Sequence, residues 1–177
     1  MTYNITETDR EGLRIAIIAA VAENGVIGDD GHIPWHYPEE LIHFRDTTTA
    51  HPVIMGRKTF DSIMDLLGHP LNDRTSIVLS NEWRSLPEDA MQVGSIPAAL
   101  AEARRGVFFW ATDTVYVIGG ASVYEQFLPV ADVMILSELD RAYAGDTRFP
   151  EWDRGEWIER ARDPRDGFEI ATYEQIT

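Results

Sequence analysis

The run RIAIIAAVA at residues 14–22 limits the fold more than any other stretch of the chain. It is apolar without alternation from Ile15 to Ala22, so a strand built from it must be covered on both faces. It is also far short of the roughly 20 apolar residues that span a bilayer. A sheet covered on both faces needs helices on both sides, and the rest of the chain supplies them in alternation. PVIMG (52–56), TSIVLS (75–80), MQVGS (91–95), TVYVIGG (114–120) and DVMILSELD (132–140) read as strands. Between them, helices are expected from Pro38 to about Thr47 and over 58–67, 96–105 and 121–128, with Ser95 as an N-cap and Pro97 in the first turn. EWIERAR (156–162) and FEIATYEQI (168–176) read as a closing hairpin. The expected fold is one α/β domain over residues 14–177, with a mixed, mostly parallel sheet of about eight strands flanked by about four helices. Residues 1–13 are expected to be a flexible lead-in, and 23–34 a glycine-rich loop long enough to suggest function.

Composition removes several classes of function. The chain of 177 residues has no cysteine, so disulfides, thiolate metal sites and thiol catalysis are excluded. No metal site is expected. The opening MTYNITETDREGL lacks a basic segment followed by an apolar run, which points to a cytoplasmic protein. Thirty acids against fifteen bases give a formal net charge of −15, unlike a nucleic-acid binder, and nothing suggests a membrane partner. Lys58 is the sole lysine. So large an acidic surplus points to a salt-adapted protein.

GHIPWHYPEELIHFR (31–45) sets carboxylates beside apolar side chains. With Pro38 as the first helical residue, Glu40, Leu41 and Phe44 fall in one arc of about 100°. Glu39 falls on the other side with His43 and Asp46. Helix capping accounts for Glu39. It does not account for Glu40, because burying a carboxylate costs several kcal/mol unless something pairs with it. Arg45 points elsewhere on the wheel. The missing partner is an arginine from another part of the fold, or a ligand.

VIMGRKTFDSI (53–63) runs strand, glycine, two cations, helix. Arg57 and Lys58 stand where a helix dipole disfavours cations and favours anions. A bound phosphate explains them, because cations and free N–H groups act on one anion there. A solvated charge pair with acidic neighbours is the alternative. VIGGAS (117–122) is a second strand–Gly–Gly–helix junction, consistent with either a pyrophosphate approach or a tight turn.

In combination, VIG…IPW, PEEL..F, PVIMGRKTF.SI, VIGG..VYEQFLP and GDTRFP resemble the dihydrofolate reductase family from about Ile15 to the C-terminus. The resemblance implies hydride transfer from NADPH to dihydrofolate, sensitivity to antifolates such as methotrexate, and a monomer. It implies that Glu40 is the acidic substrate residue and that Trp35 holds an ordered water near it. Ile18, Ala19, Ala20, Leu41, Phe44, Ile63, Leu71, Ile118 and Tyr124 would line the substrate pocket. Arg74 would bind the substrate's glutamate carboxylate, and Ser137 stands where the family usually has a threonine. The implied cofactor contacts are Ala20, Ile27, Gly28, Gly56, Arg57, Lys58, Thr59, Leu79, Ser80, Asn81, Gly119, Gly120, Ala121, Ser122, Val123, Tyr124 and Thr147.

The chain departs from the family pattern in places. Glutamate at position 40 adds a methylene relative to aspartate, the loop at 64–73 is long, and Ser122 replaces an arginine found in some members. Two rivals share parts of this pattern. A pyrimidine reductase of riboflavin synthesis would use NADPH but lack the Trp35–Glu40 pairing. A non-catalytic NADPH-binding module would bind cofactor without oxidising it.

Overall fold

A computed structural model describes residues 6–176. Ten strands form in chain order: β1 (Arg14–Val21), β2 (Val26–Gly28), β3 (Pro52–Gly56), β4 (Thr75–Leu79), β5 (Ala90–Val93), β6 (Thr114–Val117), β7 (Val133–Leu139), β8 (Thr147–Arg148), β9 (Trp157–Pro164) and β10 (Phe168–Gln175). The helices are α1 (Glu7–Arg10), α2 (Pro38–Thr48), α3 (Arg57–Leu67), α4 (Ile96–Trp110) and α5 (Ala121–Phe127). Eight strands form one sheet in the order β5-β4-β3-β6-β1-β7-β10-β9. From β5 to β7 all neighbours are parallel, and β10 and β9 close the edge antiparallel. The expected mixed, mostly parallel sheet with four substantial helices is therefore the observed fold.

The absence of alternation in β1 has a direct cause. Ile15, Ile17 and Ala19 belong to a core with Ile96, Ala99, Leu100 and Ala103 of α4 and Val123, Tyr124 and Phe127 of α5. On β3, Ile54 joins that same core, while Val53 and Met55 point into a second one with Phe60 of α3 and Leu71, against which Phe44 and Ile63 pack. Helices thus cover both faces, and every residue of β1 from Ile15 to Ala19 is buried. Gly106 lets α4 approach β3, since a Cβ there would lie 2.7 Å from the Pro52 Cβ.

Four expectations need correction or extension. Loop 23–34 holds strand β2, which pairs antiparallel with β8 in a separate two-stranded ribbon. α4 continues to Trp110 rather than ending at Arg105. Its last turn leaves Phe108 and Phe109 exposed, so it carries no buried periodicity that would mark it as helical. The strand read over 114–120 stops at Val117, ahead of the two glycines. Part of the expected lead-in forms α1, whose Arg10 donates to Asp132 at 2.6 Å. The other Asp132 oxygen accepts from Ile15 N at 2.9 Å, tying that turn to the start of β1. Residues 1–5 of the expected lead-in lie outside the described residues. Among the described residues no helix is long and apolar enough to cross a membrane.

Candidate active site

β1 lies between β6 and β7; its own crossover runs to β3 on one side, and that of its neighbour β6 runs to β7 on the other. Open α/β sheets bind ligands beyond the carboxyl ends of strands at such a switch point. The carboxyl ends of β1, β3 and β6 carry Ala20, Gly56 and Ile118–Gly120.

Glu40 sits in the first turn of α2 and is 9% exposed. Burial pushes its carboxyl above the usual range, and among the described residues no basic group offsets this. The Ser137 hydroxyl of β7 pulls the other way, although it is buried without a hydrogen bond of ordinary geometry. Ser137 pairs with Ala20 across β1 and β7. The wheel is right about Glu40 and about Glu39, which is exposed. It is wrong about Leu41 as part of a buried stripe, because Leu41 is 50% exposed. It is also wrong about His43, which is half-buried with Nε2 lacking a hydrogen-bond partner among the described residues. Asp163 and Arg165 of the closing hairpin come near His43, and its burial lowers its pKa. A wheel drawn on one helix contains nothing about a hairpin more than 100 residues away.

The apolar surroundings follow. Ile18 is buried, and its carbonyl accepts from the Tyr124 hydroxyl at 2.8 Å. Tyr124 is buried, and that burial raises its pKa well above the usual phenol value. Ala19 is buried and Ala20 half-buried, so small side chains line the end of β1. Leu71 is buried in a cluster against which Phe44, Ile63 and Ile118 pack. Arg74 donates Nε to the Asn72 carbonyl at 2.8 Å and Nη1 to Thr48 Oγ1 at 3.1 Å. Both acceptors are neutral, so the half-buried guanidinium is held in place while its charge stays available to an anion. Trp35 lies 5.2 Å from the Tyr143 ring, whose hydroxyl meets that of Tyr37 at 2.8 Å.

The two glycine junctions meet. Gly56 N donates to the Gly119 carbonyl at 2.8 Å, and the Gly119–Gly120 peptide is cis. A Cβ on Gly120 would stand 3.7 Å from Thr59 Oγ1, and one on Gly119 would press the Tyr124 ring at 3.2 Å. α3 begins at Gly56 without a side-chain cap, so its first N–H groups are free for an anion. Ala121 and Val123 follow in α5, with Val123 buried under Gly56 and Ser122 exposed. Leu79 ends β4, the next strand over, and Ser80 and Asn81 follow it. Lys58 is exposed. Arg57 is not free: its Nη1 donates to Glu82 at 2.6 Å.

Ile27 and Gly28 lie in β2, with Gly28 opposite Thr147 of β8. Asp146 accepts from Asp30 N at 3.2 Å, and Ser62 of α3 donates to the Gly31 carbonyl at 2.9 Å, so the 23–34 segment is fastened at two points. The sequence reading assigned no role to Asp146, Ser62 or Glu82; the acid directly after Ser80–Asn81 was the available signal for Glu82. Gly145 supports the ribbon by close approach. A Cβ there would meet the Val26 side chain and lie 2.5 Å from the Gly28 carbonyl oxygen. Gly145→Ala is therefore expected to destabilise the protein by about 1–3 kcal/mol. Gly94→Ala, where a Cβ meets nothing within 4 Å, should stay within about 0.5 kcal/mol. Urea unfolding of the two variants checks this, and equal midpoints would contradict it.

Residues 14–175 match the family described as dihydrofolate reductase. The chain is 53% identical over 171 residues to dihydrofolate reductase HdrB of Haloferax volcanii, covering 96% of this chain and 88% of that one. It is 37% identical over 176 residues to dihydrofolate reductase 1 of Haloarcula marismortui, covering 92% of each. Among solved structures, it resembles dihydrofolate reductase from Enterococcus faecalis complexed with NADP(H) and RAB-propyl, with a TM-score of 0.80 at 31% identity. That likeness covers 94% of this chain and 98% of the other.

Proposed function

This chain belongs to the dihydrofolate reductase family, and from that membership and the geometry of its site we infer how its own residues carry out NADPH-dependent reduction of 7,8-dihydrofolate to tetrahydrofolate. The observation that carries the reading is Glu40, a buried carboxylate with no cationic partner among the described residues, at the end of the sheet where ligands bind. A substrate with adjacent amino and ring N–H donors would satisfy both its oxygens. Arg74, held by Asn72 and Thr48, would take the substrate's carboxylate. Ile18, Leu41, Phe44, Ile63, Leu71 and Ile118 would enclose the rings, which accounts for an exposed leucine on α2.

NADPH supplies the hydride when bound. The cross-bonded glycines at 56 and 119, the uncapped start of α3, Arg57, Lys58 and Thr59 suit its phosphates. Small Ala19 and Ala20 leave room for two rings to lie face to face, and positioning supplies most of the rate gain in such a reaction. Glu40 orients the ring, and a water held near Trp35 delivers the proton. The fastened 23–34 segment excludes bulk water and opens for release.

The reading of a protein that does not bind nucleic acid rests on the net charge of −15, and that of a monomer on the family resemblance. Loss of the near-ultraviolet absorbance of NADPH on adding dihydrofolate, and its suppression by methotrexate, tests the whole proposal. No oxidation would leave a binding module, and oxidation only with a ribosyl-phosphate pyrimidine would indicate the riboflavin-type reductase.

The acidic surplus supports a salt-adapted enzyme. Exposed ion pairs such as Arg84–Asp61 contribute about 0.2–1 kcal/mol each and weaken in salt. Thirty acids against fifteen bases leave more acids than those pairs can neutralise, so relief of repulsion dominates. The Debye length falls from about 10 Å at 0.1 M to about 3 Å at 1 M. The urea midpoint is expected to rise by at least about 0.5 M between those salt levels, roughly 1 kcal/mol for an m near 2 kcal/mol/M. A flat or lower midpoint would make the acidic surface incidental.

A further inference from the structure

Arg57 lies at the start of α3, where the cofactor's phosphate is placed above, yet its guanidinium already has an anion. Nη1 donates to Glu82 Oε2 at 2.6 Å. Glu82 is not there by chance of a floppy loop. Its N–H donates to Ser80 Oγ at 3.2 Å, and its carbonyl accepts from Gln92 Nε2 at 2.5 Å. The backbone is thus fixed from β4 and from β5, and it presents the carboxylate to Arg57 across 25 positions of sequence. Nothing about stability requires this, since the Glu82 side chain is 71% exposed and such pairs contribute little.

We propose that Glu82 is a specificity-determining residue for the cofactor: an internal anion that competes with the 2′-phosphate of NADPH for Arg57 and so moderates the preference for NADPH over NADH. This rests on the reading that Arg57 binds that phosphate. The guanidinium has five donors, so phosphate and carboxylate can both reach it, but the two anions then stand side by side. NADH brings no such charge, and a carboxylate accepts readily from a ribose hydroxyl. Glu82 therefore costs NADPH affinity and costs NADH nothing. The competition is between exposed charges, so salt weakens it. An enzyme working in concentrated salt would keep its cofactor preference there and lose part of it on dilution.

Dissociation constants of NADPH and NADH, read by quenching of tryptophan fluorescence, test this on the full chain at 0.1 M and 1 M KCl. Glu82→Gln is expected to tighten NADPH about two- to fivefold at 0.1 M, the worth of one exposed charge contact, and less than about twofold at 1 M. NADH should stay within about twofold at both, and the salt dependence of NADPH binding should become steeper than in wild type. Glu11→Gln makes the same charge change on an exposed residue beside α1. If it tightens NADPH equally, net charge is the cause and the inference falls. Arg57→Ala separates the two levels of the argument. If Arg57→Ala weakens NADPH selectively while Glu82→Gln leaves it unchanged, the phosphate site stands and the competition is overturned. If Arg57→Ala leaves NADPH unchanged, both are overturned.

Discussion

Glu40→Gln is expected to keep the fold and to lower kcat/KM for dihydrofolate by about 100-fold or more, the worth of two charge-assisted hydrogen bonds at about 1.5–3 kcal/mol each. Glu39→Gln, one residue away on the exposed side of α2, should change it by less than about twofold. The two acids share a helix turn and differ in burial, so the pair isolates the site's contribution from the helix dipole's. The pH behaviour follows from the raised carboxyl of Glu40. Activity requires the ionised form, so its acid limb should lie above the ordinary glutamate range and vanish in the Gln variant. Stability runs the other way. A carboxyl whose folded pKa is raised binds its proton more tightly in the folded state, so stability falls as pH rises from the ordinary value through the raised one. At neutral pH the wild type carries the full cost of a buried charge, and Glu40→Gln should be the more stable protein. Equal loss of hydride transfer in the Glu39 and Glu40 variants would refute the assignment.

Arg57→Ala combined with Lys58→Ala should raise the Kd of NADPH at least about tenfold relative to that of NADH, since each charge-assisted contact is worth about 1.5–3 kcal/mol. The Arg57–Glu82 pair reduces what Arg57 delivers and Lys58 is exposed, so the expected figure stays below the full sum of the two contacts. Lys58 is exposed, and its contribution should fade with salt sooner than that of Arg57, which is 35% exposed. An NADPH/NADH ratio unmoved by the double substitution would mean that Arg57 serves Glu82 alone, as a solvated pair at the surface.

Periodicity alone carried the sheet, the four main helices, the closing hairpin and the burial of Glu40. Each of these is a property of neighbouring residues. An unbroken apolar run needs cover on both faces, an arc on α2 has two sides, and cations at a helix start stand out against the dipole. The ribbon was invisible for the same reason. β2 and β8 have three and two residues, too few to show a period, and they meet across some 120 positions of chain. Tertiary packing also decided which neighbours of Glu40 are buried, hiding part of His43 and leaving Leu41 open. It likewise joined Gly56 to Gly119 and Arg57 to Glu82, contacts that bring three separate segments of chain together. Local pattern determines what a segment can bury, because burial follows the pitch of the helix or strand it forms. Which charged or polar group stands opposite depends on how the segments are stacked, and no pitch encodes that.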